Sequence, residues 1–284
     1  MPLDLKGLKR ACRMPSEPLI HPTALVAQDA VIGLGTRVGP FCRIGSGVVL
    51  GEGCVLESQA LVEGPAVYGD RNHFRSSCYV GATPQDMKYH GEETRLEVGD
   101  DNVFYEGATI HRGTAQGGAV TRIGSGNTFG PWVHVAHDCL IGDHNVLGAG
   151  TGLSGHVVLD DHIHLDEHTG SAQFVHVASY AYAAPGSMLD AYLPPFVRGS
   201  GNRFLVEGTN LEGMRHFGFS REVCDAVVEC HRLYFFSGMD RLQALHSIES
   251  LLGDVSEVAA FVKFARNARE QRKGIAHSRD ARND

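Results

Sequence analysis

The sequence predicts a mainly β fold, a parallel β-helix of hexapeptide repeats followed by a small all-α C-terminal domain. Three observations support this. Apolar residues recur every sixth position over most of the chain, and 35 of the 284 residues are glycine, which indicates many tight turns. After Pro194-Pro195 the apolar spacing changes to that of helices. Short repeats bury their apolar positions only by stacking coil on coil, which is typical of a β-helix.

Residues 1–19 carry mixed charge and three prolines, so we expect a loosely held leader. The repeat follows, and we assign 20–196 to the β-helix, with loops at 82–97 and 112–122 where the six-residue rhythm is interrupted. The rhythm passes through Ile20, Val26, Ile32, Val38, Ile44, Leu50, Leu56, Val62, Tyr68, Phe74, Val80, Val98, Phe104, Ile110, Ile123, Phe129, Val135, Ile141, Leu147, Leu153, Leu159, Leu165, Ser171, Val177, Ala183 and Leu189.

The position four residues after each rhythm position is mostly small, and we expect it to point inward as well. Cysteines occupy it repeatedly and are interpreted as small buried hydrophobes. Asparagines in the same position are expected to bond corner backbone and one another, a structural role. These residues are Cys42, Cys54, Cys78, Cys139, Asn72, Asn102, Asn127 and Asn145.

Residues 197–269 are predicted to form the helical domain. Ser220, Asp240 and Ser256 each precede apolar residues at helical spacing, and each is a good N-terminal cap. The remaining segment, 270–284, is a charged tail that we expect to be disordered.

Composition excludes several classes of protein. The net charge of −8 argues against a nucleic-acid binder, which needs a dominating cationic surface. There is no apolar run long enough for a membrane span and no export pattern, so we expect a cytoplasmic protein without an integral membrane segment. Seven cysteines without a Cys-x-x-Cys pair disfavour a disulfide framework and a zinc knuckle.

The best candidate for chemistry is His137 with Asp138 beside it. The rhythm turns Val135 and Cys139 inward, so His134 and His137 project outward from the prism. A neutral histidine suits removal of a proton from a sugar hydroxyl, with the carboxylate orienting the ring. Alternatives remain open at this point: His-x-x-His is also a weak zinc signal, and a metal cluster is conceivable at His162, His164 and His168.

A series of motifs in one order resembles the bacterial UDP-N-acetylglucosamine O-acyltransferases. It covers about residues 20–265 and includes both loops that interrupt the repeat. The motifs are the hexad array, Gln85-Asp86-Met87-Lys88-Tyr89, Thr109-Ile110-His111-Arg112-Gly113-Thr114, His134-Val135-Ala136-His137-Asp138-Cys139, Gly155-His156-Val157, Pro194-Pro195, Asn210-Leu211-Glu212-Gly213 and Gly218-Phe219-Ser220.

The resemblance implies a left-handed β-helix, a homotrimer and the first step of lipid A biosynthesis. The reaction would transfer an acyl chain, expected to be (R)-3-hydroxyacyl, from acyl carrier protein to the 3-hydroxyl of UDP-N-acetylglucosamine, without cofactor or metal. His137 would be the general base, Asp138 its partner, and the Gly155 N–H would stabilise the oxyanion. The acidic carrier protein would be attracted to Arg203, Arg215 and Arg221.

The same resemblance assigns substrate contacts to residues that match the family motifs. Those expected to hold the sugar nucleotide, its uridine end and phosphates, or the neighbouring acyl group are Gln85, Asp86, Lys88, His134, His156, Gln173, Asn210, Glu212, Arg215 and His216.

The chain departs from the family pattern at several of these places. Ala172 replaces a family histidine, Ala184 and Pro185 replace glycines that gauge acyl length, and His216 replaces an arginine expected near the phosphates. Two other functions therefore stay open. One is a divergent paralogue that binds sugar nucleotide or carrier protein, or acylates a related UDP-amino sugar, with little standard activity. The other is a zinc carbonic anhydrase, which needs three converging histidines that the spacing does not provide.

Overall fold

The computed structural model describes residues 17–269 and 273–279. Most of the predicted leader and parts of the predicted tail lie outside the described residues. Among the described residues, no helix is both long and apolar enough to cross a membrane.

Very short strands follow one another through the repeat, each holding one position of the six-residue rhythm. They are β1 Leu19–Ile20, β2 Leu25–Val26, β3 Val31–Ile32, β4 Arg37–Val38, β5 Arg43–Ile44, β6 Val48–Leu50, β7 Val55–Leu56, β8 Leu61–Val62, β9 Ala66–Tyr68, β10 His73–Phe74, β11 Tyr79–Ala82, β12 Arg95–Val98, β13 Val103–Phe104, β14 Thr109–His111, β15 Val120–Ile123, β16 Thr128–Phe129, β17 His134–Val135, β18 Leu140–Ile141, β19 Val146–Leu147, β20 Gly152–Leu153, β21 Val158–Leu159, β22 His164–Leu165, β23 Gly170–Ser171, β24 His176–Val177, β25 Tyr182–Ala183 and β26 Met188–Leu189.

The strands pair in parallel with every third strand along the chain, which builds a three-sided prism. The first sheet runs β1-β4-β7 and onward to β25, the second runs β2-β5-β8 to β26, and the third runs β3-β6-β9 to β24. The fold is a left-handed parallel β-helix, as predicted. A position on one side of the prism recurs one coil later, after 18 residues in the regular part of the repeat.

The core lies inside the prism and consists of the rhythm positions. Three phenylalanines from the first sheet stack in it: the ring centroids of Phe74 and Phe104 are 5.3 Å apart and those of Phe104 and Phe129 are 5.0 Å apart. Such burial supplies most of the stabilisation that these two-residue strands cannot supply by themselves.

The inward cysteines and asparagines are structural, as predicted. The four cysteines of the repeat are fully buried in the core. The Asn127 amide donates to the Asn102 side-chain oxygen at 2.9 Å, and the backbone N–H of Asn145 donates to the Asn127 side-chain oxygen at 2.8 Å. This ladder satisfies buried polar groups at one corner of successive coils.

Two loops leave the prism on the side of the second sheet. One joins β11 to β12 and the other joins β14 to β15, and the latter contains a 3₁₀ turn at Ala115–Gly117. Both are shorter than predicted, because residues 95–97 and 120–122 continue as strands and pair with each other.

The C-terminal domain contains the predicted helices, but it does not begin with one. Strands β27 Val197–Ser200 and β28 Leu205–Thr209 form an antiparallel hairpin that extends the first sheet, so the expected all-helical start of 197–269 is wrong. The predicted caps Ser220 and Asp240 accept hydrogen bonds from Val223 N–H and Leu242 N–H. The helices are α1 Leu211–His216, α2 Arg221–Phe235, α3 Arg241–Leu252 and α4 Ser256–Arg269.

Part of the segment expected to be a disordered tail is ordered against the prism. Ile275 forms a bridge with Tyr192, Ser278 forms one with Val206, and Ile275, Ala276 and Ser278 are buried. Backbone pairing with the last coil, which composition alone does not indicate, fixes residues 273–279.

Candidate active site

His137 and Asp138 lie at the turn between β17 and β18, on the prism edge between the second and third sheets. Asp138 has a φ of +60°, a left-handed conformation that aspartate tolerates better than most residues. The His137 ring is outside the apolar core, as the rhythm predicts. It is nevertheless only 5 % exposed, because the loops of the second sheet and the next coil cover it.

Asp138 is held by hydrogen bonds on every side. Its carboxylate accepts from the Thr114 N–H at 2.7 Å, from the Thr114 hydroxyl at 2.6 Å and from His137 Nδ1 at 2.7 Å. Its own backbone N–H donates to the Thr121 hydroxyl at 2.8 Å. Three bonds fix the buried carboxylate and the fourth fixes its backbone.

This network determines which nitrogen of His137 carries the proton. An ionised carboxylate only accepts, so Nδ1 carries hydrogen in the neutral ring and Nε2 keeps its lone pair. Nε2 points away from Asp138, with the nearest Asp86 carboxylate oxygen at 3.9 Å. A fixed imidazole with a free Nε2 beside a carboxylate is the arrangement of a general base.

Two glycines allow these groups to approach so closely. A Cβ at Gly155 would lie 2.6 Å from the His137 ring, and a Cβ at Gly117 would lie 2.0 Å from the Asp138 carboxyl carbon. Neither position can carry a side chain without displacing His137 or Asp138. Gly155 therefore places its backbone directly against the His137 ring.

The first loop brings Asp86 to the site. Asp86 Oδ1 accepts from the Lys88 N–H at 2.9 Å, which closes a tight turn that aims the other oxygen at His137. Lys88 and Gln85 are exposed next to it. Three sequence-predicted residues thus share one loop at the mouth of the site.

Two further imidazoles line the site below His137. His134 Nδ1 is 2.9 Å from the Thr109 hydroxyl, and its ring meets the His111 ring edge to face at 5.1 Å. His111 was missed as a site residue, although it belongs to a motif that carries the resemblance. Its Nδ1 donates to the Thr83 carbonyl at 2.7 Å, and its buried Nε2 has no partner.

Burial keeps these imidazoles neutral. Burial is the main cause that lowers the pKa of His111 and of His134. His111 lowers the pKa of His134 further, while His137 and Arg112 lower that of His111 against the opposing hydrogen bond to Thr83. A neutral imidazole offers one donor and one acceptor, which suits sugar hydroxyls.

The next two coils above His137 contribute His156 and then Gln173 and Phe174. His156 Nε2 lies 3.8 Å from Asp138 Oδ2, and its ring stacks on Phe174 with centroids 4.6 Å apart. Burial is the main cause that lowers the pKa of His156, and His137 lowers it further while Asp138 opposes this. Gln173 is exposed on the same edge.

Other predicted substrate residues lie elsewhere on the chain. A cavity of about 470 Å³ lies at the prism edge between the third and first sheets, against α1. The side chain of Asn210 caps α1 and donates to the Tyr180 carbonyl at 2.9 Å, so it is partly committed to the fold. Arg215 is exposed beside the cavity, whose lining includes His144, His162, His164, Asp166, Arg198, Asn210, Glu212 and His216.

The structure separates the histidines considered for a metal cluster. His162 stacks on His144, His164 meets Tyr182 on the outer face of the first sheet, and the His168 ring lies over Gly150 on the third edge. Among the described residues, the donor atoms of His137, Asp138 and His156 alone lie close enough to hold an ion, within 4.8 Å. Since Asp138 is already bonded to Thr114 and His137, this group favours proton transfer.

The residues expected to set acyl length and to attract the carrier protein are at the surface. Ala184 is half-buried and Pro185 exposed at a turn between the first and second sheets. Arg203 pairs with Asp190 at 2.8 Å and Arg221 with Asp225 at 3.6 Å, both in exposed positions.

Two family models match the chain. One, described as UDP-N-acetylglucosamine O-acyltransferase, domain 2, matches residues 193–276. The other, described as bacterial transferase hexapeptide (six repeats), matches residues 121–155.

Solved structures are similar over nearly the whole chain. UDP-N-acetylglucosamine O-acyltransferase from Moraxella catarrhalis is 34% identical, with 91% of this chain and 99% of that chain covered and a TM-score of 0.87. The acyltransferase from Bacteroides fragilis is 31% identical (91% and 100% covered, TM-score 0.87). The one from Arabidopsis is 33% identical (91% and 100% covered, TM-score 0.80).

Proposed function

This chain belongs to the UDP-N-acetylglucosamine O-acyltransferase family, and from that premise we propose that it acylates the 3-hydroxyl of UDP-N-acetylglucosamine, the first step of lipid A biosynthesis. The proposed donor is a 3-hydroxyacyl chain on acyl carrier protein. The observation that carries the proposal is the His137 ring, held by Asp138 through Nδ1 and open at Nε2. The remaining residues of the site are consistent with the same reaction.

In the proposed mechanism His137 Nε2 removes the proton from the sugar hydroxyl as its oxygen attacks the thioester carbonyl. The Gly155 N–H stabilises the negative charge that develops on the carbonyl oxygen. When the carbon–sulfur bond breaks, the protonated ring returns the proton to the departing thiolate. Asp138 stabilises the imidazolium between the two transfers, and Thr114 keeps Asp138 in place.

Asp86, Lys88, Gln85 and His134 are proposed to bind the sugar, because they surround the open side of His137. His156 and Gln173 are proposed to contact the acyl and nucleotide groups from the next two coils. His111 joins this set through its unpartnered Nε2, which faces the same group of imidazoles.

We propose a homotrimer in which neighbouring subunits complete each site. His137 and the cavity with Asn210, Glu212 and His216 occupy different edges of one prism, so a single chain does not present both to one nucleotide. A neighbouring subunit can bring its cavity to the His137 edge. The nearly fully exposed Met87 side chain, beside Asp86 and 98% accessible, supports a subunit contact there.

The acidic carrier protein is proposed to dock near α1 and α2, where Arg215 and Arg221 are exposed. We propose that the reaction takes place in the cytoplasm.

Mass spectrometry of the product tests the proposal. Purified protein is incubated with UDP-N-acetylglucosamine and a panel of hydroxyacyl carrier proteins of graded length. We expect a nucleotide product whose mass increases by one acyl group and whose ester is cleaved by mild base. Absence of product with every donor would contradict the transferase reaction, while a base-stable amide formed only with the 3-amino analogue of the sugar nucleotide, assayed in parallel, would contradict the hydroxyl acceptor.

A further inference from the structure

One column of outward positions on the second sheet begins at the active site. His134 is in register with Gly152, Gly152 with Gly170, and Gly170 with Met188. Each is the residue before an inward rhythm position, so a side chain there projects away from the core. Two successive glycines therefore leave a groove on this face directly above His134.

The two glycines differ in what covers them. A Cβ at Gly152 would meet no atom within 4 Å, so this part of the groove is open. A Cβ at Gly170 would lie 2.5 Å from the Met188 sulfur, so the Met188 thioether lies across Gly170. The open floor thus extends about one coil, ~5 Å, from His134 towards Met188 before the thioether closes it.

The groove is continuous with the reacting centre. Its lower end is His134, and its flank at Gly155 touches the His137 ring. Phe174, which is half exposed, lies along the same flank and gives it an apolar wall. An apolar chain attached at a carbonyl near Gly155 would follow this floor and this wall.

Beyond Met188 the face is closed by backbone. The Met188 N–H donates to the Gly201 carbonyl at 3.0 Å, and Met188 is paired with Asn202. The adjoining Arg203 is tied to Asp190 at 2.8 Å. Met188 is therefore the last side chain on this face before the loop, and it folds towards the active site.

We propose that Met188 sets the length of the acyl chain that the enzyme accepts, by occupying the space above Gly170 that a longer chain would need. The inference rests on the proposed transferase function and identifies a specificity residue within it. It differs from the sequence-based expectation, which placed this role at Ala184 and Pro185. Pro185 lies at the turn on the neighbouring edge, off the floor of the groove.

Competition among donors tests Met188. Wild type, Met188→Ala and Met188→Phe are each given an equimolar mixture of hydroxyacyl carrier proteins of graded length, and the products are quantified by mass spectrometry. Met188→Ala should raise the ratio of kcat/KM for long over short chains at least about tenfold, because methylenes excluded by a side chain are worth that much. Met188→Phe should shift the ratio the opposite way, towards shorter chains.

Leu25→Ala is the matched control, since Leu25 is an exposed outward residue of the same sheet near its other end. It should leave the product distribution as in wild type, and Pro185→Gly should change it far less than Met188→Ala. Continued acyl transfer with the same distribution in both Met188 variants would overturn the assignment of Met188 alone. No transfer by wild type with any donor would instead overturn the proposed function together with it.

Discussion

Two edges of the same prism carry columns of mostly aromatic residues at equivalent turn positions, yet their chemistry differs. On the His137 edge the column is Asp138, His156 and Phe174, each with a positive φ. On the second edge, which we call the His162 edge, it is His144, His162, Tyr180 and Phe196, also with positive φ. The backbone is nearly the same at both edges, so the backbone does not decide which histidine is reactive.

The difference lies in what surrounds the rings. On the His137 edge a loop inserts Thr114 and fixes a buried carboxylate, which in turn fixes an imidazole with a free nitrogen. On the His162 edge the ring of His162 is sandwiched between His144 and Tyr180, with Phe217 against it. Stacking there buries ring faces and stabilises the coil. A histidine becomes a base here only where an oriented acceptor holds its other nitrogen.

The sharpest test compares one histidine from each edge. His137→Ala should lower kcat by about a thousandfold or more, because the proton acceptor is removed. His162→Ala should leave kcat within about tenfold and act chiefly on the KM of the sugar nucleotide, since His162 lines the cavity that contains Asn210. Steady-state kinetics with varied sugar nucleotide separates the two effects.

A third histidine provides the control. His168 is exposed on the remaining edge, over Gly150, and His168→Ala should have wild-type kinetics. Equal losses of kcat in the His137 and His162 variants would mean that the two edges do not differ as described.

Asp138→Asn tests the carboxylate with a smaller expected effect. The amide keeps the shape but cannot stabilise an imidazolium, and it can turn its NH₂ towards His137 and impose the wrong tautomer. We expect kcat to fall about a hundredfold, with melting temperature changed little because Thr114 and Thr121 still have partners. Thr114→Val should reproduce part of this loss of kcat, because it removes the hydroxyl that donates to the Asp138 carboxylate. Full activity in Asp138→Asn would remove the basis for assigning Nε2 as the base.

The β-helix itself could be predicted from the sequence because its signal is periodic. One inward residue recurs every six positions, and each predicted position lies in its own short strand. Asparagines at the same position of the repeat likewise predicted the ladder of side-chain hydrogen bonds through Asn102 and Asn127. A repeat of this kind can be recognised in the sequence without knowledge of contacts between distant residues.

The features that could not be predicted from the sequence depend on contacts between segments that are distant along the chain. Thr114 reaches Asp138 across 24 residues, and Thr83 reaches His111 across 28, through loops that have no period. The sequence placed His137 outside the core, but the loops that bury it could not be inferred from spacing. Similarly, Met188 closes over Gly170 only because one coil of the prism separates them.

The smallest expected effect concerns the stability of the His162 edge. Removing the ring in His162→Ala breaks stacking with His144 and Tyr180, whose centroids lie 5.1 Å and 4.9 Å away. An aromatic pair contributes about 1 kcal/mol, so we expect unfolding free energy to fall by about 1–2 kcal/mol. His162→Phe keeps an aromatic ring at this position and should retain most of the unfolding free energy that His162→Ala loses. Denaturant unfolding monitored by circular dichroism measures both.

The pH dependence of that stability follows from the direction of the pKa shift. Burial, and then His144, lower the pKa of His162 below the ordinary histidine value, so the unfolded chain takes up this proton more readily than the folded one. The unfolding free energy is therefore not reduced by His162 above the ordinary histidine pKa of about 6.5, and it declines as the pH falls through and below that value. His162→Phe has no such proton and should lose less stability than wild type between pH 7.5 and 5.5, when both are unfolded under the same conditions. An equal loss in the two proteins would show that the stacked column tolerates an imidazolium, and the His162 edge would then be closer in its chemistry to the His137 edge.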